Sequence, residues 1–492
     1  MRQAAGGARA ADRAATEARP VGWRNGAWAL ALAGMIILGG GNWTMPLPRL
    51  FAQAIAIGVL MAAIAGARDR PARPLATVDW LVVAMLGLFF VHVAPMPPQL
   101  WSALPGRGLA VLSDRAVFGT LPWRSLSLDP QASLRSLLML LPALATYLTV
   151  RLGDGARRMA MLGGALLAGL AGVSLAVAQA MLPQAEFLRV LPRGDYAWPV
   201  GFFANHNHQA IFLLCLLPLV AARLACPSGY TPSPAERSPA GHSSVGHSTT
   251  MLAIAGALLA ALTLATASRS GAALLPLALA GTALGWRGHM HGAVLPAGRS
   301  ARMALLLGLS VTMLLGVSLV WGLGGDGALA AFQRRALPVD GRFEFWPITI
   351  DAAMRFWPIG AGIGTFIEAY ELYEPLSALG PLYLNHAHND FLEILLEAGV
   401  PGLVLALVGC WELLRAGARA WRGQPGDPQA TIRRMATLVL ALPILHSLVD
   451  YPLRTVAISC LFALAAALVA PERDDQPDTP SDCPVERKRK LH

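Results

Sequence analysis

The chain has 492 residues, of which 55% are hydrophobic and only 14% charged. That ratio excludes a soluble globular protein, which needs more polar surface to cover its core. The net charge of +10 reads as the basic loops that orient membrane helices, not as a nucleic-acid surface. Residues 1–26 are polar and Arg-rich and are expected to be a cytoplasmic leader to an uncleaved first helix. Apolar runs then recur, each long enough to cross about 30 Å of hydrocarbon. Spans are expected at 27–41, 51–67, 78–96, 134–150, 159–181, 209–225, 249–267, 271–286, 303–322, 391–412, 435–449 and 455–470. Backbone polar groups inside lipid must be satisfied within their own segment, so the spans are helices. The reading is an all-α polytopic membrane protein of about 12 transmembrane helices. Its parts are an N-terminal membrane region 27–200, a second membrane region 201–470 with a long outward loop 323–390, and a disordered cytoplasmic tail 471–492.

With the N-terminus inside, every inward segment is basic. These segments carry Arg68, Arg70 and Arg73; Arg151, Arg157 and Arg158; Arg223 and Arg237. Further along come Arg287, Arg299 and Arg302, then Arg415, Arg419, Arg422, Arg433 and Arg434, and the tail adds Arg487 to Lys490. Both termini are therefore expected in the cytoplasm. The inward stretch Pro227 to Thr249, rich in Ser, Pro, Gly and His, reads as a flexible loop, and His289 and His291 read as solvated. The five cysteines, Cys215, Cys226, Cys410, Cys460 and Cys483, offer no outward pair for a disulfide.

Outward arginines are the informative ones, because orientation does not explain them. Arg269 lies in Ser268-Arg269-Ser270-Gly271, a tight hairpin between two apolar runs. A charge at such depth costs roughly 3 kcal/mol unless it snorkels or meets an anion. Arg342 is followed by Phe343, Phe345 and Trp346 in the long outward loop. Guanidinium forks suit phosphate oxygens, so two such arginines fit a lipid-linked phosphate or pyrophosphate. The same loop ends in His386-Ala-His388-Asn389-Asp390, and the residues after Asp390 have helical spacing with Glu393 and Glu397 on one face, interrupted by Gly399 and Pro401. His388 then sits at a helix N-terminus, where a second positive charge is disfavoured; a neutral imidazole there could act as a general base.

Asn205, His206, Asn207 and His208 close the loop before the sixth expected span with amides and imidazoles. Asp450-Tyr451-Pro-Leu-Arg454 caps a short outward turn just beyond His446, and its Asp and Arg form either a structural pair or part of a site. Four imidazoles from His206-x-His208 and His386-x-His388 could in principle hold zinc. No outward Cys or carboxylate cluster supports that, and no metal or other cofactor is expected.

Taken together these segments resemble the O-antigen ligase and polymerase superfamily of bacterial polysaccharide assembly. The resemblance rests on His388-Asn389-x-x-Leu392-Glu393-x-x-x-Glu397-x-Gly399-x-Pro401-Gly402, Ser268-Arg269-x-Gly271 and Arg342-x-x-x-Trp346. It extends to the Pro358-x-Gly360-x-Gly362-x-Gly364-x-Phe366 run, Gly201-Phe-x-x-Asn205-x-Asn207, and His446-x-x-x-Asp450. The stretch from Pro97 to Arg107 resembles a subset of the family. The resemblance implies a multi-spanning C-type glycosyltransferase of the inner membrane with a periplasmic active site. It would move a glycan from undecaprenyl pyrophosphate to an acceptor hydroxyl, on lipid A-core or another glycan, without a metal and with inversion. His388 would be the base, and Arg269 and Arg342 would hold the pyrophosphate, with Asn207, His386, Asn389 and Asp450 in support. Which of His386 and His388 is the base stays open, although the hallmark aligns on His388. Partners would be the lipid-linked donor, the acceptor and membrane lipids, with no nucleic acid. The alternative class is a transporter or exporter of a polysaccharide or lipid-linked intermediate, against which stands the absence of an internal repeat.

Overall fold

The computed structural model describes residues 21–41, 46–68, 75–182, 184–189, 198–226, 242–290, 342–379 and 383–470. The expected span 303–322, the first part of the long loop, Cys483, His291 and the tail lie outside them. The described chain is helical: α1 (Val21–Leu38), α2 (Pro46–Ala65), α3 (Thr77–Val93), α4 (Gly108–Phe118), α5 (Pro130–Arg151), α6 (Gly155–Met181), α7 (His206–Leu224) and α8 (His242–Ala265). Then follow α9 (Arg269–Met290), α10 (Arg342–Arg355), α11 (Phe366–Glu371), α12 (Asp390–Arg422), α13 (Pro428–His446) and α14 (Val456–Val469). Each expected span in the described residues overlaps one of these helices. By length and composition 6 of them could cross a membrane, α2, α5, α6, α7, α8 and α12, and α3 and α14 are shorter apolar helices. This is an all-α membrane protein.

Several boundaries differ from expectation. Helix α1 begins at Val21, inside the expected leader, and α8 begins at His242, inside the expected flexible loop. Helix α9 runs on to Met290, so His289 is not solvated: it stacks on Trp286 at 4.4 Å and bonds the Thr431 hydroxyl at 2.9 Å. The four described cysteines are free.

Helix α7 is the centre of the bundle. Its sequence is apolar on every side, as a helix without a lipid or water face must be, and it packs against α6, α8, α9 and α13. Phe202 and Phe203, just before it, stack at 4.8 Å and meet Phe212 from its second turn. The rim helices keep an exposed apolar stripe instead; on α12 it is Val404, Leu407, Val408, Trp411 and Leu414, spaced for one helical face.

The two ends of the bundle differ in chemistry. At one end gather the described arginines of the basic segments. Arg151 pairs with Asp79 at 2.9 Å, Arg157 lies over the Trp28 ring, and Arg434 donates to the carbonyls of Ala420, Gly423 and Gln424. The opposite end holds the N-termini of α7, α9, α12 and α14 and the C-terminus of α13, joined by hydrogen bonds such as Asp390 N to Ser447 O at 2.9 Å.

Over that second end lies a lid built from two segments far apart in sequence. The first is the α3–α5 connection, closed by a two-stranded ribbon of β1 (Pro95–Met96) and β2 (Arg124–Ser125) around a helical turn and α4. The second is α10 with the glycine run that follows it. Ile363 N donates to His92 Nδ1 at 3.1 Å, Ser133 Oγ to Ile363 O at 2.6 Å, and Leu128 N to Ala361 O at 2.9 Å.

The glycine run has a structural task. Helix α12 kinks at Gly399 (φ 60°, ψ −151°), which frees backbone groups on either side. Ala361 N and Gly362 N donate to the carbonyls of Leu396 and Glu397, each at 2.8 Å, and Val400 N donates to Pro358 O at 2.8 Å. A Cβ on Gly399 would run into the Pro358 carbonyl and one on Gly360 into the Glu397 carbonyl, so only glycine permits this clasp.

Candidate active site

The turn Asn385–Asn389 precedes α12 and is held from several directions. Trp346 Nε1 donates to Ala387 O at 2.8 Å, and Glu393 accepts from Ala387 N at 2.9 Å and meets His386 Nδ1 at 2.8 Å. Asn389 is the N-cap of α12, its Oδ1 accepting from Leu392 N at 3.1 Å while its amide donates to Leu448 O at 3.1 Å. Between these fixed points His388 takes φ 48°, a left-handed conformation that is costly for a residue with a Cβ. The cost is accepted because both flanks are pinned, and the result aims the imidazole at Asp450.

Asp450 is fully buried in the α13–α14 connection. His388 Nδ1 lies 3.2 Å from its Oδ1 and His208 Nε2 lies 3.9 Å from the same oxygen, while Tyr451 N donates to it at 2.9 Å. Burial alone would raise this carboxyl's pKa. The His388 hydrogen bond and the imidazoles of His208, His388 and His446 outweigh that and hold it well below the usual carboxylate range. With Nδ1 turned to a carboxylate, the Nε2 of His388 is the nitrogen left to take a proton, the tautomer a general base needs. The Tyr451 ring lies among three imidazoles, with centroids 4.1 Å from His386, 4.9 Å from His388 and 5.0 Å from His208.

A polar chain leads from there to the hairpin before α9. His446, buried at the end of α13, bonds the Ser270 hydroxyl at 2.8 Å. Ser270 lies 3.2 Å from Ser268, and Ser268 Oγ donates to Asn207 Oδ1 at 2.7 Å. Arg269 stands between these two serines in the first turn of α9, exposed at the end of the bundle. Arg342 opens α10 one turn before Trp346, half-buried, and its charge is felt at His446. Arg269, Arg342, Asn207, His388 and Asp450 thus gather at one end of the bundle, on five different elements.

Two of the expected supporting residues have other occupations. Asn389 caps α12 and ties it to Leu448, and His386 is bound to Glu393. The suggested Asp450–Arg454 pair gives way to a different arrangement. Arg454 reaches the acidic face of α12, with Asp390 at 3.3 Å, Glu393 at 3.1 Å and Glu397 at 2.9 Å, leaving Asp450 to the histidines. Spacing had put Glu393 and Glu397 on one face; the cation they share with Asp390 comes from 57 or more residues away, which spacing does not reveal. Sequence reasoning also missed Ser270 and the roles of His208 and His446. The signal for Ser270 was its place in the Ser-Arg-Ser hairpin.

The imidazoles of the two His-x-His pairs have these partners: Thr455 Oγ1 at 2.9 Å from His208 Nδ1, Glu393 for His386, and Asp450 for His388, which shares it with the more distant His208 Nε2, with His206 beside Trp198. Among the described residues, no three His, Cys, Asp or Glu side chains are grouped to hold a metal ion.

The family model described as O-antigen ligase matches residues 254–407. The match supports membership of the O-antigen ligase/polymerase family. It supports, with that, a glycosyltransferase-type function in polysaccharide biosynthesis, for which the family implies a lipid-linked glycan donor and a glycan acceptor in the membrane. The matched O-antigen ligase segment runs from α8 into α12 and contains Arg269, Arg342, His386, His388 and Asn389; Asn207 and Asp450 lie outside it. No curated protein matches the chain.

Proposed function

We propose that the chain is a periplasm-facing glycosyltransferase that moves a glycan from undecaprenyl pyrophosphate to an acceptor hydroxyl. The observation that carries this reading is the His388–Asp450 pair, at 3.2 Å, on the same end of the bundle as Arg269 and Arg342. His388 Nε2 takes the acceptor's proton as the acceptor oxygen bonds to the anomeric carbon. The bond from that carbon to the pyrophosphate oxygen breaks with its electron pair, and undecaprenyl pyrophosphate leaves. One displacement from the opposite side inverts the anomeric carbon. Asp450 holds the ring in its base tautomer and offsets the imidazolium that forms. Arg269, at the N-terminus of α9, and Arg342 hold the pyrophosphate and offset its charge as it departs. No metal is required in this scheme, since the guanidinium groups supply the positive charge.

The charges support this orientation. The described basic segments meet at the end of the bundle away from this site, which supports a cytoplasmic position for them and a periplasmic one for the site. Polar residues gathered at one end, instead of at half depth, favour a transferase over a transporter.

The reading is tested by Arg342→Lys. The ammonium keeps the charge but loses the fork, and a charge-assisted hydrogen bond is worth about 1.5–3 kcal/mol. The catalytic efficiency of the purified variant is expected to fall roughly ten- to hundredfold, and activity at the wild-type level would remove the pyrophosphate role.

A further inference from the structure

Helix α4 has its polarity inside out. Asp114, its acidic residue, is 1% exposed and is gripped by both nitrogens of the Arg124 fork, while Arg107, at its N-cap, is 3% exposed. Leu109 and Leu112 are 57% and 65% exposed, and Val117 and Phe118 are exposed to a similar degree. Leu109, Leu112 and Ala116 fall at helical spacing on one face, with the exposed Arg115 at its edge. A helix standing in water would turn Asp114 out and these residues in. The helix is not loosely tethered. The Arg124 guanidinium lies 5.8 Å over the Trp101 ring, and Trp101 Nε1 donates to Pro122 O at 2.9 Å. Its polar side is committed to the protein, so its apolar side faces whatever lies beyond.

The apolar helix α3, whose Phe90 and Val91 are exposed near its end, leads directly into this insertion. A lipid-facing surface therefore continues from α3 toward α4 at the level where α3 leaves the bilayer. We propose that α4 is an in-plane membrane helix, its Leu109–Leu112–Ala116 face seated among the lipids at the surface of a phospholipid bilayer and Arg115 reaching to the headgroups.

This seat fixes the lid. Arg107, at the head of α4, donates to Leu126 O and to Gly360 O at 3.3 Å and lies 5.3 Å over the Phe356 ring. Gly360 belongs to the clasp on the α12 kink, so the membrane surface, α4, the lid and the turn carrying His388 form one connected series. The inference does not depend on the role given to His388.

The test uses full-length protein lacking Cys410 and Cys483, with Leu109→Cys or Leu112→Cys labelled by an environment-sensitive NBD dye. The protein is reconstituted in phosphatidylethanolamine–phosphatidylglycerol liposomes. At both sites a doxyl-labelled phospholipid is expected to remove most of the emission, and aqueous iodide to leave it. Quenching by iodide with none by the doxyl lipid would overturn the proposal. So would emission insensitive to both, the result expected under a protein partner.

Discussion

Asp450→Asn is expected to lower the turnover number by about 10²–10⁴-fold, the range that positioned general-base catalysis contributes, with little change in donor affinity. The carboxylate touches His388, not the position a substrate would occupy, and its loss frees the ring to adopt the other tautomer. The pH dependence separates this from a packing defect. Asp450 is held well below the usual carboxylate range. A carboxyl with a depressed folded-state pKa contributes stability above its unfolded pKa and loses it only as pH falls through the folded one. In the wild type its contribution therefore persists through pH 7 to 5, and an acid limb in that window is not the titration of Asp450. The check is a kcat and KM profile from pH 5 to 9 for both proteins. An Asp450→Asn protein with wild-type turnover would dismiss the orienting role.

The second large effect is on stability. Arg454→Met removes the guanidinium that bridges three acids on α12, Asp390, Glu393 and Glu397, all of them buried. Leaving a buried ion network without its partner costs about 3–5 kcal/mol. Unfolding of the purified variant in detergent should occur at a markedly lower temperature. Adding Glu397→Gln to Arg454→Met should recover part of the loss, because it removes one uncompensated carboxylate. If the double variant is no more stable than the single one, the carboxylate of Glu397 is not what Arg454 offsets.

How far the sequence reached depends on the kind of information required. Helices α5, α6, α7 and α9 were legible because their apolar runs are long and bounded by basic segments, a local pattern. The break at Gly399 was legible too, from a glycine and a proline two residues apart. The clasp that satisfies the break was not, since nothing in the glycine run says which carbonyls it will meet. The partners of Arg454 were not legible for a related reason. Asp450 lies four residues before it, but the connection turns the carboxylate toward His388 and the guanidinium toward α12. The insertion around α4 was passed over because its apolar stretches are too short to register as a span. Its inverted polarity becomes visible only when the Asp114–Arg124 pair shows which face is inside.

The central claim is that an imidazole on the outer end of the bundle activates the acceptor. Its most direct test is transfer by purified full-length protein in liposomes, supplied with an undecaprenyl-pyrophosphate-linked glycan and an acceptor, in excess chelator. The wild-type chain is expected to form product under these conditions, while a His388→Ala chain with unchanged thermal stability binds the donor and forms none. Product formed by His388→Ala at the wild-type rate would contradict the account.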